Sequence, residues 1–533
     1  MKTFEDAIKA ALTNVATHGD TDIFPFPFEN HIFFDKKAEA TEILIKTHQD
    51  FDSEIIQRPP ETVLSLTQVG YTGFRWATFI EPFWNAYYLA LVISIADQIE
   101  SQRIPEASKT VFSYRFQWQE DTGKLFRDSG WSDFRRRCME LSETHPFVVQ
   151  TDIADYYPRI YHHRIENALA RLPSPGDIPK RIMKLLESFS KNVSYGLPIG
   201  GPASRILAEL ALNGVDTLLT RKGIKFCRYA DDYAFFCQDK AEAYRTLVFL
   251  AEKLFNEGLV LQKKKTRILE ASEFREISGL LDPAATATTT TDEQKLLNIS
   301  IRFDPYSPTA AEDYEHLKGA VNQIDIIGIL GREISKTNID PVVTRQAIQA
   351  IQALDKTKQE GAILILLDPE NLATLAPVFA HVMRITRKLY SDLSPTIQGR
   401  IDNALCELHE KKSPLLSVEV NQSYYIQALS ENRTPLKEKI LAEMSDATSN
   451  PFIRRMIIIC MSNWRRHDWV SDVKTKYDRM STLERRAFIL ASYSLGDEGS
   501  HWRKYMKKTW IESEILIRDW AGNRVQTDKG FPL

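Results

Sequence analysis

Three aspartates in this sequence stand where carboxylates are chemically unusual. Asp152 ends the apolar run FVVQTDI (147–153), and Asp231 and Asp232 lie side by side within KFCRYADDYAFFC (225–237). If the two runs pair as neighbouring strands, the three carboxylates meet at one sheet edge. They cannot all be ionised there unless cations hold them. Two divalent ions bound by oxygen ligands are the usual solution, and they suit phosphoryl transfer.

Each aspartate also has an ordinary structural explanation. Paired aspartates between strands are common in solvated turns. Asp152 by itself could cap the helix that follows it. The order of the two acidic runs along the chain favours the metal site over these alternatives.

Two further segments could serve the same chemistry. In YGLPIGGPASRILAEL (195–210), glycines allow the backbone to approach a flat substrate closely before a helix begins. In LVLQKKKTRIL (259–269), the lysines at 263–265 could face a triphosphate, although a lysine triplet is often only a solvated face. Neither segment is specific by itself.

Short apolar runs and helical patterns alternate around these residues, as in α/β or α+β domains. Strands are predicted over 147–153, over 259–269 and twice within 225–237, with a tight turn at the paired aspartates. Helices are predicted over 82–104, 162–172, 204–223 and 241–258, the last two ending at glycine. The first of these is long and apolar enough to be largely buried.

The rest of the chain has a helical pattern. The Ala- and Thr-rich stretch 281–294 resembles a linker or surface loop. Five later helix starts carry a capping residue followed by proline at the first helical position, which has no N–H to leave unpaired: Asp340-Pro341, Asp368-Pro369, Ser394-Pro395, Thr434-Pro435 and Asn450-Pro451. Helices in such a series suggest a HEAT-like stack of antiparallel pairs.

Bulk composition sets limits on function. A chain of 533 residues is too long to form a single domain, since domains average roughly 150 residues. The balance of 68 basic and 71 acidic side chains gives −3, so any nucleic-acid contact must come from a local patch. Five scattered cysteines, without a CxxC pair, favour a reducing cytoplasm over a disulfide framework. No signal peptide or membrane span is predicted.

Taken in chain order, four segments resemble motifs A, B, C and D of the reverse transcriptase palm. They are TDIADYY (151–157), LPIGGPASR (197–205), RYADDYAFF (228–236) and LVLQKKKTRIL. The resemblance implies that Asp152, Asp231 and Asp232 are catalytic. Asp152, Ile153 and Asp231 would hold Mg²⁺ or Mn²⁺, and Tyr157 would be the steric gate against a ribose 2′-hydroxyl. Gly200 and Ile153 would contact the nucleotide, and Lys265 would attend the leaving pyrophosphate.

The stretch GYTGFRWATFIEPFWNAYYLALVISIADQIE (70–100), followed by VFSYRF (111–116), narrows the resemblance. It is similar to the fingers of bacterial abortive-infection reverse transcriptases, most of all to the P2-prophage type. The resemblance implies a role in phage defence, a HEAT-like helical C-terminal region and a triphosphate-gripping Arg115. It also implies a trimeric or hexameric homo-oligomer.

Motif B departs from ordinary reverse transcriptases at one position. They carry a glutamine near the nucleotide sugar where this chain has Ile199, which can neither donate nor accept a hydrogen bond. The abortive-infection group shares this LPIG-type motif and resembles enzymes that add deoxynucleotides without a template, primed by a protein hydroxyl. The sequence therefore predicts dNTP substrates and a single-stranded DNA product attached to the protein.

Two other functions stay open: templated RNA-directed DNA synthesis, and a catalytically quiet oligomeric scaffold that binds a phage component. The predicted architecture is an α+β fingers and palm, with an RRM-like palm sheet, followed by an all-α HEAT-like region. The predicted divisions are fingers and N-terminal helices over 1–150, palm over 151–280, linker over 281–295 and helical region over 296–533. We predict a cytoplasmic protein without membrane contact.

Overall fold

The architecture is described from a computed structural model that covers residues 3–173, 175–191, 193–279, 292–293, 296, 319, 321, 324–527 and 530–533. Helices up to residue 279 are α1 Phe4–His18, α2 Phe28–Asp35, α3 Lys37–Gln49, α4 Phe51–Gln57, α5 Pro82–Gln102, α6 Gly130–Ser142, α7 Tyr156–Arg159, α8 His162–Leu169, α9 Ile178–Phe189, α10 Pro202–Arg221, α11 Lys240–Asn256 and α12 Ala271–Gly279. The strands are β1 Thr62–Val69, β2 Gly73–Ile80, β3 Phe116–Gln119, β4 Lys124–Phe126, β5 Phe147–Asp152, β6 Phe226–Tyr229, β7 Asp232–Cys237 and β8 Arg267–Glu270.

Four of these strands form an antiparallel sheet in the order β6-β7-β5-β8. One face, including Val149 and Phe235, packs into the largest hydrophobic core together with the fully buried middle of α5. The other face, including Val148 and Phe236, is covered by α6 and α12. With helices on both faces, only the sheet's edges and strand ends are open to a substrate.

Most of the predicted elements around the sheet are confirmed. The predicted helices appear as α5, α8, α10 and α11, and the helices predicted to stop at glycine end two residues before Gly223 and Gly258. The predicted strand over 259–269 is wrong in extent, because the continuous strand begins at Arg267 and the earlier part contributes an isolated bridge between Leu261 and Ile153. Lys263, Lys264 and Lys265 form a turn before it.

The described residues from 324 onward are helical and contain no strand, as predicted. Their helices are α13 Ile326–Ile334, α14 Pro341–Ala350, α15 Lys356–Leu367, α16 Pro369–Thr374, α17 Phe379–Leu389, α18 Pro395–Glu410, α19 Glu419–Leu429, α20 Pro435–Ala447, α21 Pro451–Asn463, α22 His467–Lys474, α23 Thr482–Ala491, α24 Gly496–Met506 and α25 Glu512–Gln526. Across all the residues that the structure describes, α5 included, no helix is long and apolar enough to cross a membrane.

All five helix starts predicted from a capping residue and proline are confirmed. At four of them the capping side chain accepts a hydrogen bond from a backbone N–H of the first turn: Asp340, Asp368, Thr434 and Asn450. The fifth, Ser394, precedes α18 without such a bond. The HEAT-like arrangement of these helices and the RRM-like description of the sheet stay predictions.

The predicted divisions of the chain do not correspond to separate cores. The largest core contains α1, α5, palm residues and the C-terminal helices α23 and α25. The second core joins the helical region to the hairpin β1–β2 through Val63, Ala77 and Phe79. The predicted linker over 281–295 lies outside the described residues apart from 292–293. The exact boundaries stay predictions.

Candidate active site

The structure brings the three predicted aspartates to one end of the palm sheet. Asp152 is the last residue of β5, and its Cα pairs in register with that of Asp232, the first residue of β7. Asp231 lies in the β6–β7 turn, where its carbonyl accepts a hydrogen bond of 3.1 Å from the N–H of Ile153. The convergence predicted from the two strand patterns is therefore present.

The turn that carries Asp231 needs an unusual backbone conformation. Ala230 has a φ of 52°, in the left-handed region that residues with a side chain rarely adopt. The guanidinium of Arg228 donates to the Ala230 carbonyl at 2.8 Å and supports this conformation from inside the protein. Backbone strain of this kind clusters at functional sites when the surroundings enforce it.

Burial and mutual repulsion dominate the electrostatics of the cluster. Burial raises the pKa of the Asp231 carboxyl, and the negative charge of Asp152 raises it further. Burial, followed by the charges of Asp231 and Asp152, raises the pKa of Asp232 to about 7. A cation bound at this edge of the sheet would therefore stabilise the ionised form of these carboxylates.

Lys265 supplies one such cation. Its ammonium donates a hydrogen bond to Asp152 Oδ2 and forms an ion pair with that carboxylate. Burial acts to lower the pKa of Lys265, but the hydrogen bond and the charge of Asp152 outweigh it and raise that pKa overall. Lys265 thus lies at the acidic cluster, and its predicted role toward pyrophosphate stays a prediction.

The donor atoms fit Mg²⁺ or Mn²⁺ in chemistry, since both ions prefer carboxylate oxygens. Across the described residues, however, no group of three or more acidic, histidine or cysteine side chains is arranged to hold a metal by itself. Mg²⁺ is commonly bound by one or two carboxylates together with substrate phosphates. Asp152 and Asp231, with the neighbouring backbone of Ile153, would hold the metal in that way.

The raised pKa of Asp232 predicts a pH-dependent stability in the absence of divalent ions. Its folded pKa of about 7 lies above its ordinary value of 3.8, so the folded state retains a proton that the unfolded state has lost. The contribution of Asp232 to stability should therefore fall as the pH rises from about 4 to about 7. We expect urea unfolding of Asp232→Asn to lack this part of the slope, and identical slopes in the two proteins would contradict the assignment.

Tyr157 links the first acidic segment to the glycine-rich loop. Its carbonyl accepts a hydrogen bond of 2.9 Å from the N–H of Leu197, and its ring packs 5.5 Å from that of Tyr156. The side chain is half-buried, and burial raises the pKa of its hydroxyl. The structure thus fixes Tyr157 between Asp152 and the loop, while its role as a steric gate stays a prediction.

The backbone at Gly200 lies close to another segment of this chain. Its φ is 112°, and a Cβ added there would lie 2.3 Å from Thr21 Oγ1. The first turn of α10 is also covered by the N-terminal segment, because Asp22 forms an ion pair of 2.5 Å with Arg205. The nucleotide contact predicted at Gly200 stays a prediction, since the contact seen there is made by Thr21.

The prediction that Arg115 grips a triphosphate is not supported. The side chain is only 5% exposed, and its guanidinium donates to Glu100 at 2.7 Å and to the carbonyls of Val111 and Ile104. A guanidinium held in this way is part of the framework that joins α5 to the following loop. The sequence contains no local signal for the Glu100 and Ile104 contacts, because these residues lie 15 and 11 positions before Arg115, on α5 and just after it.

Arg75 is a basic residue near the cluster that the motifs did not identify. It lies exposed on β2, and its positive charge is close enough to Asp231 to lower the pKa of that carboxyl. Arg75 also lines an open groove of about 840 Å³ beside the palm. An exposed arginine in this groove has N–H donors for the phosphates of a nucleotide bound at the aspartates.

A second group that the motifs missed is a buried ion network directly below the site. Arg228 is completely buried and pairs with Glu209 at 2.8 Å and with Asp216 at 2.6 Å, both on α10. Arg103 completes the network through Glu209 at 2.6 Å. Charged residues inside the apolar runs of β6 and α10 were the available sequence signal for this network.

Comparison with known proteins agrees with this geometry. Residues 95–297 match the family described as reverse transcriptase (RNA-dependent DNA polymerase), so the chain carries a reverse transcriptase domain, which is a nucleotidyltransferase domain. The retron Ec86 reverse transcriptase of Escherichia coli is 27% identical over 139 residues, which make up 25% of this chain and 42% of that relative. The match therefore spans less than half the length of the relative.

Similar solved structures include two telomerases. The apo telomerase from Candida tropicalis has 9% identity and a TM-score of 0.30, covering 72% of this chain and 74% of that one. The telomerase from Candida albicans, in complex with a TWJ fragment of telomeric RNA, has 10% identity and a TM-score of 0.30, covering 78% of this chain and 67% of that one. TM-scores this low transfer no property to the present chain.

Proposed function

We propose that this protein is a DNA polymerase of the reverse transcriptase class that adds deoxynucleotides without a template, primed by a hydroxyl of its own, in defence against phage. The polymerase part of the proposal depends above all on the convergence of Asp152, Asp231 and Asp232 at one sheet edge. The untemplated part depends on Ile199, which replaces a polar residue with an apolar one in the loop before α10.

We assign each residue of the site a separate role in the reaction. Divalent ions at Asp152, Asp231 and Ile153 would lower the pKa of the attacking hydroxyl and offset the charge on pyrophosphate. Arg75 would orient the triphosphate, since its charge lies near Asp231. Lys265, freed from Asp152 when a nucleotide arrives, would stabilise the leaving group. Tyr157 would exclude a ribose 2′-hydroxyl.

The groove beside the palm gives a DNA strand a place to lie. Exposed aromatic side chains line it, and base stacking on such rings is worth about 1–3 kcal/mol per base without sequence preference. They are Phe74, Trp76, Tyr161 and Tyr195. Arg75, Arg159 and Lys191 add positive charge along the same wall. A local basic patch of this kind supports the proposal for a chain whose net charge of −3 offers no general attraction to DNA.

Incubation of purified protein with dNTPs and Mg²⁺, without primer or template, tests the proposal. We expect the protein band to shift upward on a denaturing gel and to return after DNase treatment, because the product is covalently attached. NTPs in place of dNTPs should give no shift if Tyr157 excludes the 2′-hydroxyl. An enzyme that works only with an added primer–template would instead be a templated reverse transcriptase, and an enzyme inactive in both assays would favour the scaffold alternative.

A further inference from the structure

The hairpin β1–β2 is packed as a part of the C-terminal helical region. Val63, Ala77 and Phe79 are buried in the same core as the helices from α13 to α23. The ring of Phe79 lies 4.4 Å, centroid to centroid, from that of Phe452 on α21. An isolated two-stranded hairpin is at best marginally stable in water, so its position depends on what it packs against.

Four hydrogen bonds tie the hairpin to different parts of the helical region. At the turn, the Tyr71 hydroxyl donates to the Thr374 carbonyl at 2.7 Å and accepts from the Ile339 N–H at 3.0 Å. Along β1, the Leu66 N–H donates to Glu419 Oε2 at 2.8 Å, and the Asn450 amide donates to Ser65 Oγ at 3.0 Å. The turn and one strand of the hairpin are therefore both anchored.

The anchored hairpin carries Arg75 to the groove beside the palm. Arg75 lies four residues after Tyr71 on β2 and lines this groove together with Asp155, which follows Asp152 by three residues, and Ile199 of the loop before α10. The neighbouring Trp76 is 57% exposed and lines the groove. Anchoring on one side and exposure on the other suit a rigid arm that holds a phosphate-binding cation in place.

We infer that the helical region positions the nucleotide-binding hairpin, and that Tyr71 and Glu419 are positioning residues that act through Arg75. The inference rests on the proposed function, because it requires a nucleotide at Asp231. It gives the helical region a direct part in substrate binding. A shift of α16, α19 or α21 would move Arg75 relative to the aspartates.

The first test compares Tyr71→Phe with Tyr493→Phe. Tyr493 is a matched control, because its half-buried hydroxyl also donates to a carbonyl, that of Arg518, at 2.7 Å, but within the helical region. In Tyr71→Phe we expect faster hydrogen–deuterium exchange of the 62–80 amides and weaker binding of dNTP with Mg²⁺, by about three- to tenfold in calorimetry. Tyr493→Phe should change neither quantity.

The second test asks whether the effect passes through Arg75. In an Arg75→Ala background, Tyr71→Phe should weaken dNTP binding by less than about twofold further, because the group that it positions is absent. Glu419→Ala should behave like Tyr71→Phe. Glu419→Gln keeps an acceptor oxygen for the Leu66 N–H and should restore binding.

The inference would be overturned if Tyr71→Phe left the hydrogen–deuterium exchange of the 62–80 amides unchanged, or left dNTP binding unchanged. It would also be overturned if Tyr71→Phe weakened dNTP binding as much in the Arg75→Ala background as in the wild type. A wild-type protein that binds no dNTP would overturn it too. Failure of the proposed function appears separately: a protein that shows this coupling in dNTP binding but incorporates no nucleotide positions a hairpin without being a polymerase.

Discussion

Replacement of Asp231 by asparagine should abolish nucleotide incorporation while the protein stays folded. The substitution removes one of the carboxylates that converge at the end of β5 and β7, and with it a ligand for the catalytic metal. Losing such a group in a phosphoryl-transfer site should cost at least about 10³-fold in rate. Stability should be unchanged or higher, because the variant also removes repulsion between buried carboxylates.

The rate of self-primed incorporation and the midpoint of urea unfolding, measured on the same preparation, check this prediction. Asp121→Asn is a matched control, since Asp121 lies exposed in the turn between β3 and β4. The control should keep full activity. An active Asp231→Asn protein would show that the acidic cluster does not catalyse, and phage defence that survives in a fully inactive variant would favour the scaffold alternative.

The acidic site could be predicted because its signals are local. A strand repeats every two residues, so an apolar run ending in Asp152 and another beginning at Asp232 fix which residues meet once the strands pair. Helix ends were readable for a similar reason. A capping side chain and a proline act within one turn, as at Asp340 and Pro341.

Contacts between distant segments could not be predicted in this way. Arg115 and Arg75 are both arginines in aromatic stretches of the sequence, and only the tertiary packing places one inside the framework and the other in the groove beside the palm. The contact between Thr21 and Gly200 could not be predicted for the same reason, because the two residues lie far apart in the sequence. Sequence patterns identified the acidic residues and Lys265, whereas the place of Arg75 depends on how the hairpin packs on the helical region.

The largest effect on stability is expected at Arg228. Arg228→Met would leave Asp216 with the Tyr233 hydroxyl, at 3.1 Å, as its remaining partner in the network, while Glu209 would keep Arg103 and Ser113. An unpaired buried charge of this kind should reduce the free energy of unfolding by about 3–5 kcal/mol. Arg136→Met, which removes an exposed ion pair with Asp133 on α6, should cost less than about 1 kcal/mol.

The pH dependence of this loss identifies its cause. Burial already raises the pKa of Asp216 above its ordinary value, and removal of Arg228 should raise it further. The folded variant would then take up a proton that the unfolded chain lacks, so the deficit relative to wild type should grow as the pH rises above 3.8, the ordinary pKa of Asp216. The double variant Arg228→Met, Asp216→Leu should recover much of the stability, because both charges are gone.

A deficit that is independent of pH and remains in the double variant would instead point to lost packing around the strained turn at Ala230. Since Arg228 also holds the Ala230 carbonyl, the double variant should fold but still place Asp231 poorly and polymerise slowly.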